Sequence, residues 1–264
     1  MQIWKERLSL PRELFEVLEH SLGVVVPESK EHLYDLIFNG EESDEIQVTY
    51  QVNGRTVKEA EVTRCRNGAV VNYMEDYMRR RDPDSMRIAD ERPTDKPRFA
   101  DVYGYPFRDL RTETMTWMEK QELILVPFWA GGRDYGYEAL LLCPRNAAFF
   151  AFSLAQLQAF VDLKETEEFT PRAIIYVAPP FRHTHFEGKQ VVVHNRSKDL
   201  HEIFSYNLYP GPSAKKGVYS VLIDIGEQEG WVTAHASDAR IITPYENEMV
   251  MMHEGASGGG KSEL

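Results

Sequence analysis

Six short apolar segments in the second half of the chain constrain its fold more than any other feature. Each is five to nine residues long, rich in aliphatic residues and bounded by residues that commonly end strands. The segments are ELILVPFWA, YEALLLC, AIIYVA, QVVVH, VYSVLID and EMVMMH. A predicted helix interrupts them, with Ser153 and Gln156 as a capping box at its start. The pattern predicts a mixed α/β fold around a large sheet.

The first half of the chain shows helix and hairpin signals. Two amphipathic helices are predicted at about residues 9–23 and 29–40, each beginning at a serine and ending near a glycine. Apolar and polar residues then alternate on both sides of Asn53-Gly54. Because this dipeptide favours the tight turn between antiparallel strands, a β-hairpin is predicted there.

A polar region separates this hairpin from the apolar segments. Residues 73–81 are predicted to be helical. Residues 81–99 contain many charges and several prolines, which predicts a loop.

Composition limits the class of protein. The chain has 264 residues and lacks both a run of about 20 apolar residues and the uninterrupted apolar stretch of a signal peptide. Its two cysteines, Cys65 and Cys143, have no metal-ligand spacing, which favours a reducing compartment. A formal net charge of -12 argues against general nucleic-acid binding, which depends on clustered Lys and Arg. We therefore expect a cytoplasmic protein with neither membrane nor nucleic acid as a partner.

The last ten residues contain the spacing G-x-x-x-x-G-K-S of a phosphate-binding P-loop. In such a loop, backbone N–H groups and the lysine hold phosphate oxygens, and the hydroxyl completes a Mg²⁺ shell. The residues predicted to bind a nucleotide are Gly255, Ser257, Gly258, Gly259, Gly260, Lys261 and Ser262, with Ser262 also at the magnesium. Residues 249–252 are predicted as the buried strand before the loop. The alternative is a flexible glycine-rich tail or an expression remnant.

From Tyr209 onward the chain resembles the phosphoenolpyruvate carboxykinases. The resemblance depends on features that follow one another in the order of that family: Tyr209, Gly211, Lys215-Lys216, the segment EGW, His235 and the P-loop. Upstream, QELILVPFWAGG and ERPTDKPRF resemble a strand with its glycine turn and the loop of a substrate-binding arginine. The resemblance covers about residue 80 to the end, and the first 70 residues show none.

The resemblance implies a reaction and a metal site. Oxaloacetate would lose CO₂, and the resulting enolate would attack the γ-phosphate of ATP or GTP to give phosphoenolpyruvate. Lys216 and His235 would bind Mn²⁺ together with an Asp that follows the P-loop in the family and is absent here. An amine ligates a metal only when neutral, and the charges of Lys215 and of the metal favour loss of its proton.

The same resemblance divides the chain into a carboxykinase-like N-terminal domain, residues 1–225, and the beginning of a P-loop domain, residues 226–264. We therefore expect a chain that stops where the nucleotide-binding domain begins. Such a chain would bind ATP or GTP weakly at best and show no carboxykinase activity by itself.

The substrate-binding residues have more than one candidate. A dianionic substrate needs an arginine fork. The resemblance offers two, Arg92, which matches one branch of the family, and Arg87, which matches the other; Arg92 is preferred, although both could be solvated loop residues. Tyr209 could present its ring edge to the substrate or pack on the sheet. His183 and His185 could chelate a metal, but a surface pair on a strand is preferred because no third ligand is nearby.

Two other functions remain open. A related kinase could phosphorylate another small carboxylate or hydroxyl substrate without decarboxylation. A nucleotide-binding module without turnover belongs to a different class.

Overall fold

The structure is a computed structural model that describes five stretches of the chain: residues 3–38, 43–73, 85–234, 236–245 and 247–255. The chain divides into two compact units, Met1–Leu222 and Ile223–Leu264.

A large mixed sheet lies at the centre of the first unit. In the described stretches its strands are β1 (Gly23–Val25), β5 (Met86–Ile88), β6 (Glu122–Ala130), β7 (Tyr137–Pro144), β8 (Ala159–Phe160), β9 (Ala173–Val177), β10 (Val192–Arg196) and β11 (His201–Ser205). Their order is β1-β6-β7-β9-β11-β10-β5, with β8 paired to β6. Strands β7, β9 and β11 run parallel, whereas β6 and β10 run antiparallel to their neighbours β7 and β11. The predicted mixed α/β class is confirmed.

Helices cover both faces of this sheet, so its central strands read as continuous apolar runs. We call the face that carries Phe204 the first face and the face that carries Ile203 the second face. The first face packs against α1 (Ile3–Arg7), α2 (Arg12–His20), α4 (Phe99–Tyr103), α5 (Phe107–Met118) and α7 (Phe181–His185). On the second face, α6 (Ala148–Leu157) contacts β6 and β7, and α3 (Lys30–Phe38) packs on α6. Four of the predicted strands, β6, β7, β9 and β10, are confirmed.

The predicted N-terminal helices are α2 and α3, and both are confirmed. Ser29 caps α3, since its hydroxyl accepts a hydrogen bond from the His32 amide at 3.1 Å. The predicted capping box at Ser153 is wrong. Helix α6 begins five residues earlier, at Ala148, and the Ser153 hydroxyl donates to the Phe149 carbonyl inside the helix.

The predicted hairpin is also confirmed. Strand β2 (Glu45–Val52) pairs with β3 (Arg55–Arg64), and β4 (Val70–Tyr73) completes a separate three-stranded sheet. Asn53 and Gly54 both have positive φ angles, 50° and 74°, as the two-residue turn requires. Residues 74–84, which contain nearly all of the predicted helix 73–81, lie outside the described stretches, and Tyr73 belongs to β4.

The prediction of a strand for VYSVLID is wrong, because this segment lies in α8 (Lys216–Gln228). Its apolar residues Val218, Val221 and Leu222 recur at intervals of three and one, which suits a helix face as well as a continuous apolar run. The loop predicted at 81–99 contains the short strand β5, and β11 was not predicted.

The described part of the second unit beyond α8 is an antiparallel hairpin of β12 (Ala236–Ile242) and β13 (Glu248–Glu254). The strand predicted at EMVMMH is confirmed as β13. Its predicted burial is wrong, since Met249–Met252 are 40–69% exposed. In the described stretches, no helix is long and apolar enough to cross a membrane.

Candidate active site

A turn that carries the predicted Tyr209 and Lys216 follows β11 at its carboxyl end. The chain makes a π-helical turn over Gly211–Lys215 and enters α8 at Lys216, whose amide donates to the Gly211 carbonyl. The Tyr209 ring covers Gly211 so closely that a Cβ there would lie 2.9 Å from the ring. A side chain at this position would therefore displace the Tyr209 ring. We call residues 209–217 the lysine turn; π-helical turns of this kind are frequent at functional sites.

The lysine turn is anchored on the second face of the sheet. The Ser213 hydroxyl donates to the Ser205 hydroxyl at 3.2 Å, and both side chains are fully buried. Four residues later, a Cβ on Gly217 would meet Ile203 Cδ1 at 3.1 Å. Because Ser205 and Ile203 are alternate residues of β11, they project to the same face. Lys215 and Lys216 are exposed next to this contact.

A buried histidine pair continues this face beside the lysine turn. His194 of β10 is directly opposite Ile203, and His201 lies two residues before Ile203 on β11, about 7 Å along the strand. The two rings share a hydrogen bond of 2.9 Å between His194 Nδ1 and His201 Nε2. One imidazole donates and the other accepts, so the two rings hold each other in a fixed tautomer.

Beyond the histidines, Arg196 joins the second face to the loop that contains Arg92. Arg196 is paired with His201 across β10 and β11, which gives it the same orientation. Its guanidinium binds the Asp90 carboxylate through Nε at 3.0 Å and Nη2 at 2.8 Å. Nη2 also donates to the Arg92 carbonyl at 3.3 Å. The backbone of the Arg92 loop therefore meets the second face, on which the lysine turn is anchored.

Arg87, the other candidate for the substrate arginine, lies on the opposite face. It pairs with Val193 in the parallel register of β5 and β10, and Val193 is opposite Phe204. Its guanidinium carbon is 5.8 Å from the centre of the Tyr103 ring. Arg87 therefore shares a face with Phe204, and the lysine turn is anchored on the other.

The structure thus places Tyr209, Lys215 and Lys216 in one turn at the carboxyl end of β11. The Arg92 loop meets the same face at the amino end of that strand, since Arg196, which holds it, pairs with His201. In the part of the chain that the structure describes, the Lys216 ammonium makes no ion pair or side-chain hydrogen bond. Gly255 is an exposed residue after β13 in the second unit. The other predicted nucleotide and metal residues lie outside the described stretches: His235, Ser257, Gly258, Gly259, Gly260, Lys261 and Ser262.

A second charged cluster lies away from this face. Glu59 is the extra residue of a bulge in β3, between the pairs Val48–Ala60 and Thr49–Lys58, and its side chain is fully buried. Its carboxylate contacts Arg182 Nη2 at 3.4 Å and His183 Nε2. The prediction of His183 and His185 as a surface pair on a strand is wrong, since both belong to α7. Among the described residues, no group of three or more His, Cys, Asp and Glu could hold a metal ion.

The Asp90–Arg196 contact predicts a pH effect on stability. Burial raises the pKa of Asp90, but hydrogen bonds from the Arg196 side chain and backbone and from the Arg92 amide outweigh it, so this pKa is below its usual value. A carboxyl of this kind stabilises the fold above its unfolded pKa of about 3.9 and loses that contribution as the pH falls through its folded pKa.

We therefore expect Asp90→Asn to unfold more easily than the unsubstituted protein near neutral pH and to approach it below about pH 4. Urea unfolding at a series of pH values measures this difference. Asp101→Asn, at an exposed position in α4, is the control and should show no such convergence. A difference for Asp90→Asn that does not change with pH would contradict the prediction.

Together these features define a mixed α/β protein with a lysine-bearing turn and an anchored arginine loop at one face of its sheet. The chain belongs to the family described as a domain of unknown function (DUF4914), whose sequence model matches residues 10–264. No curated protein matches the chain.

Proposed function

We propose that the protein is a cytoplasmic, carboxykinase-like phosphotransferase that couples decarboxylation of oxaloacetate to phosphoryl transfer from ATP or GTP. The observation that carries the proposal is the lysine turn, which places Tyr209 and an exposed Lys216 together at the carboxyl end of β11, on the sheet face that the Arg92 loop meets at the other end of that strand. Conversion of oxaloacetate to an enolate releases CO₂, and transfer of the γ-phosphoryl group to the enolate oxygen gives phosphoenolpyruvate and a nucleoside diphosphate.

The residues of the turn suit a divalent metal. Lys216 is exposed where the π-helical turn enters α8, and an amine binds a metal in its neutral form. In this proposal Lys216 and His235 would hold Mn²⁺, whose positive charge would stabilise the enolate. Other carboxylate or phosphate oxygens would complete the coordination.

Different residues would bind the substrate carboxylate and the nucleotide phosphates. The Arg92 guanidinium binds a substrate carboxylate through two parallel hydrogen bonds, and Tyr209 contacts the substrate beside it. Gly255 and the amides of residues 257–260 would hold the nucleotide phosphates, Lys261 would neutralise them, and Ser262 would bind the nucleotide's Mg²⁺. Transfer then depends mainly on positioning and on charge neutralisation.

Exchange of labelled bicarbonate into oxaloacetate tests the proposal. The full-length protein is incubated with labelled bicarbonate, oxaloacetate, Mn²⁺, Mg²⁺ and either ATP or GTP. We expect nucleotide-dependent exchange that stops when Mn²⁺ is chelated. Phosphorylation of another carboxylate or hydroxyl compound without exchange would indicate a related kinase, and nucleotide binding without turnover would indicate a binding module. Either result would overturn the proposal.

A further inference from the structure

The loop that carries Arg92 is closed at its neck. Ile88 and Arg98 form an isolated bridge, and the Ile88 amide donates to the Pro97 carbonyl at 3.0 Å. Next to this neck, the Ala89 amide donates to the His194 carbonyl of β10 at 2.8 Å. Residues 88–98 therefore form a compact surface loop whose two ends lie together, the geometry of an Ω-loop.

Two guanidinium groups donate hydrogen bonds to the backbone carbonyls of this loop. Arg98 donates to the Asp90 carbonyl through Nη1, and through Nη2 to the Glu91 and Arg92 carbonyls at 3.2 and 3.1 Å. From the sheet, Arg196 donates to the Arg92 carbonyl at 3.3 Å. Successive carbonyls from 90 to 92 are thus held by charged donors, which form stronger hydrogen bonds than neutral groups.

The Asp90 side chain completes this arrangement from inside the loop. Its carboxylate accepts two bonds from the Arg196 guanidinium, one from the Arg196 amide at 2.8 Å and one from the Arg92 amide at 3.0 Å. The Arg92 backbone is therefore held on both sides, through its amide by Asp90 and through its carbonyl by Arg98 and Arg196.

We infer that Asp90, Arg98 and Arg196 are positioning residues that fix the backbone of Arg92 so that its side chain meets a substrate carboxylate in one geometry. This inference rests on the proposed function. The three residues contribute by removing freedom from a loop that would otherwise have to be ordered on binding. A misplacement of about 1 Å at a positioning group can cost about 10²-fold in rate, so loss of the anchor should be visible in kinetics.

Variants of Arg98 test the inference, because Arg98 holds the loop without touching the sheet face that carries the lysine turn. We expect Arg98→Ala to raise the KM for oxaloacetate about tenfold or more and to change kcat much less. Arg98→Lys keeps the charge but cannot span three carbonyls with a planar fork, so it should recover only part of the loss. Arg108→Ala, which removes an arginine with an 84% exposed side chain, is the matched control and should leave KM unchanged.

Amide hydrogen exchange provides a second measurement that does not depend on activity. In Arg98→Ala the Arg92 amide should exchange about tenfold faster or more, whereas the Ala89 amide, bonded to β10, should not change. Unchanged exchange at Arg92 would overturn the anchor itself. Faster exchange with an unchanged KM, or full recovery in Arg98→Lys, would show that the anchor does not position a substrate contact.

Failure of the proposed function gives a different result. If the unsubstituted protein shows no bicarbonate exchange, the proposed function and the substrate contact of Arg92 are both wrong. The amide exchange of Arg98→Ala then still decides whether Arg98 fixes the loop.

Discussion

Glu59→Ala is expected to lower the free energy of unfolding by about 3–5 kcal/mol, because it leaves the Arg182 guanidinium buried without its carboxylate partner. The Glu59 and Arg182 side chains are 0% and 5% exposed, so water cannot replace the missing charge. The His183 ring loses the same partner. Urea unfolding followed by circular dichroism measures the change, read from the midpoint at constant slope.

Two further variants separate the burial of this charge from general damage to the hairpin. Glu61→Ala removes a carboxylate from the same strand, where its ion pair with Lys58 is about one third exposed, and should cost less than about 1 kcal/mol. Glu59→Leu combined with Arg182→Met removes both buried charges and should recover much of the loss. If Glu59→Ala costs no more than Glu61→Ala, the buried cluster does not stabilise the protein as proposed.

Lys216→Met is expected to reduce bicarbonate exchange by at least about 10²-fold, because it removes the proposed metal ligand and even outer partners of metal ligands contribute 10- to 100-fold. Its affinity for Mn²⁺, measured by titration with electron paramagnetic resonance, should fall in parallel. The methionine keeps the length and the apolar stem of the side chain, and Lys216 is exposed, so the stability should change by no more than about 0.5 kcal/mol.

Lys215→Met is the matched control for this prediction. Lys215 is the preceding residue, is equally part of the lysine turn and is also exposed. Its substitution removes the same charge from the same place and should change the rate only about twofold. Equal losses of rate in the two variants would mean that the turn contributes only positive charge. A larger loss in Lys215→Met would mean that Lys215, and not Lys216, is the metal ligand.

The sheet was predictable where local sequence decides the outcome. Strands β6 and β7 are buried on both faces, so each is a long apolar run, and Asn53-Gly54 accepts positive φ angles at its own position. The strand predicted at residues 218–224 was wrong because a helix buried on one side can carry an apolar run of similar length. Strand β11 was missed because His201 and Glu202 make its first half polar, and only its neighbours in the sheet show that both are buried.

The candidate site, like the sheet, was predictable only where local sequence decides the outcome. Tyr209 and Lys216 are close in the chain, so the sequence could place them in one turn. The face that Arg87 occupies is set by the pairing of β5 with β10, about a hundred residues away, so no local pattern could show it. The part played by Arg196 depends on the same pairing, and no local pattern contains it.

Strand β10 carries both His194 and Arg196, so one backbone sets the spacing between the histidine pair and the anchored loop. That spacing is a fixed multiple of the strand repeat, about 3.3 Å per residue, and tolerates changes in the surrounding side chains. It does not tolerate a change in residue number. Deletion of one residue between Val192 and Arg196 would turn the arginine to the opposite face and detach the loop while leaving most of the sheet's hydrogen bonds intact. Variation by insertion or deletion within the family is therefore expected to spare this strand and to accumulate in the loops outside it.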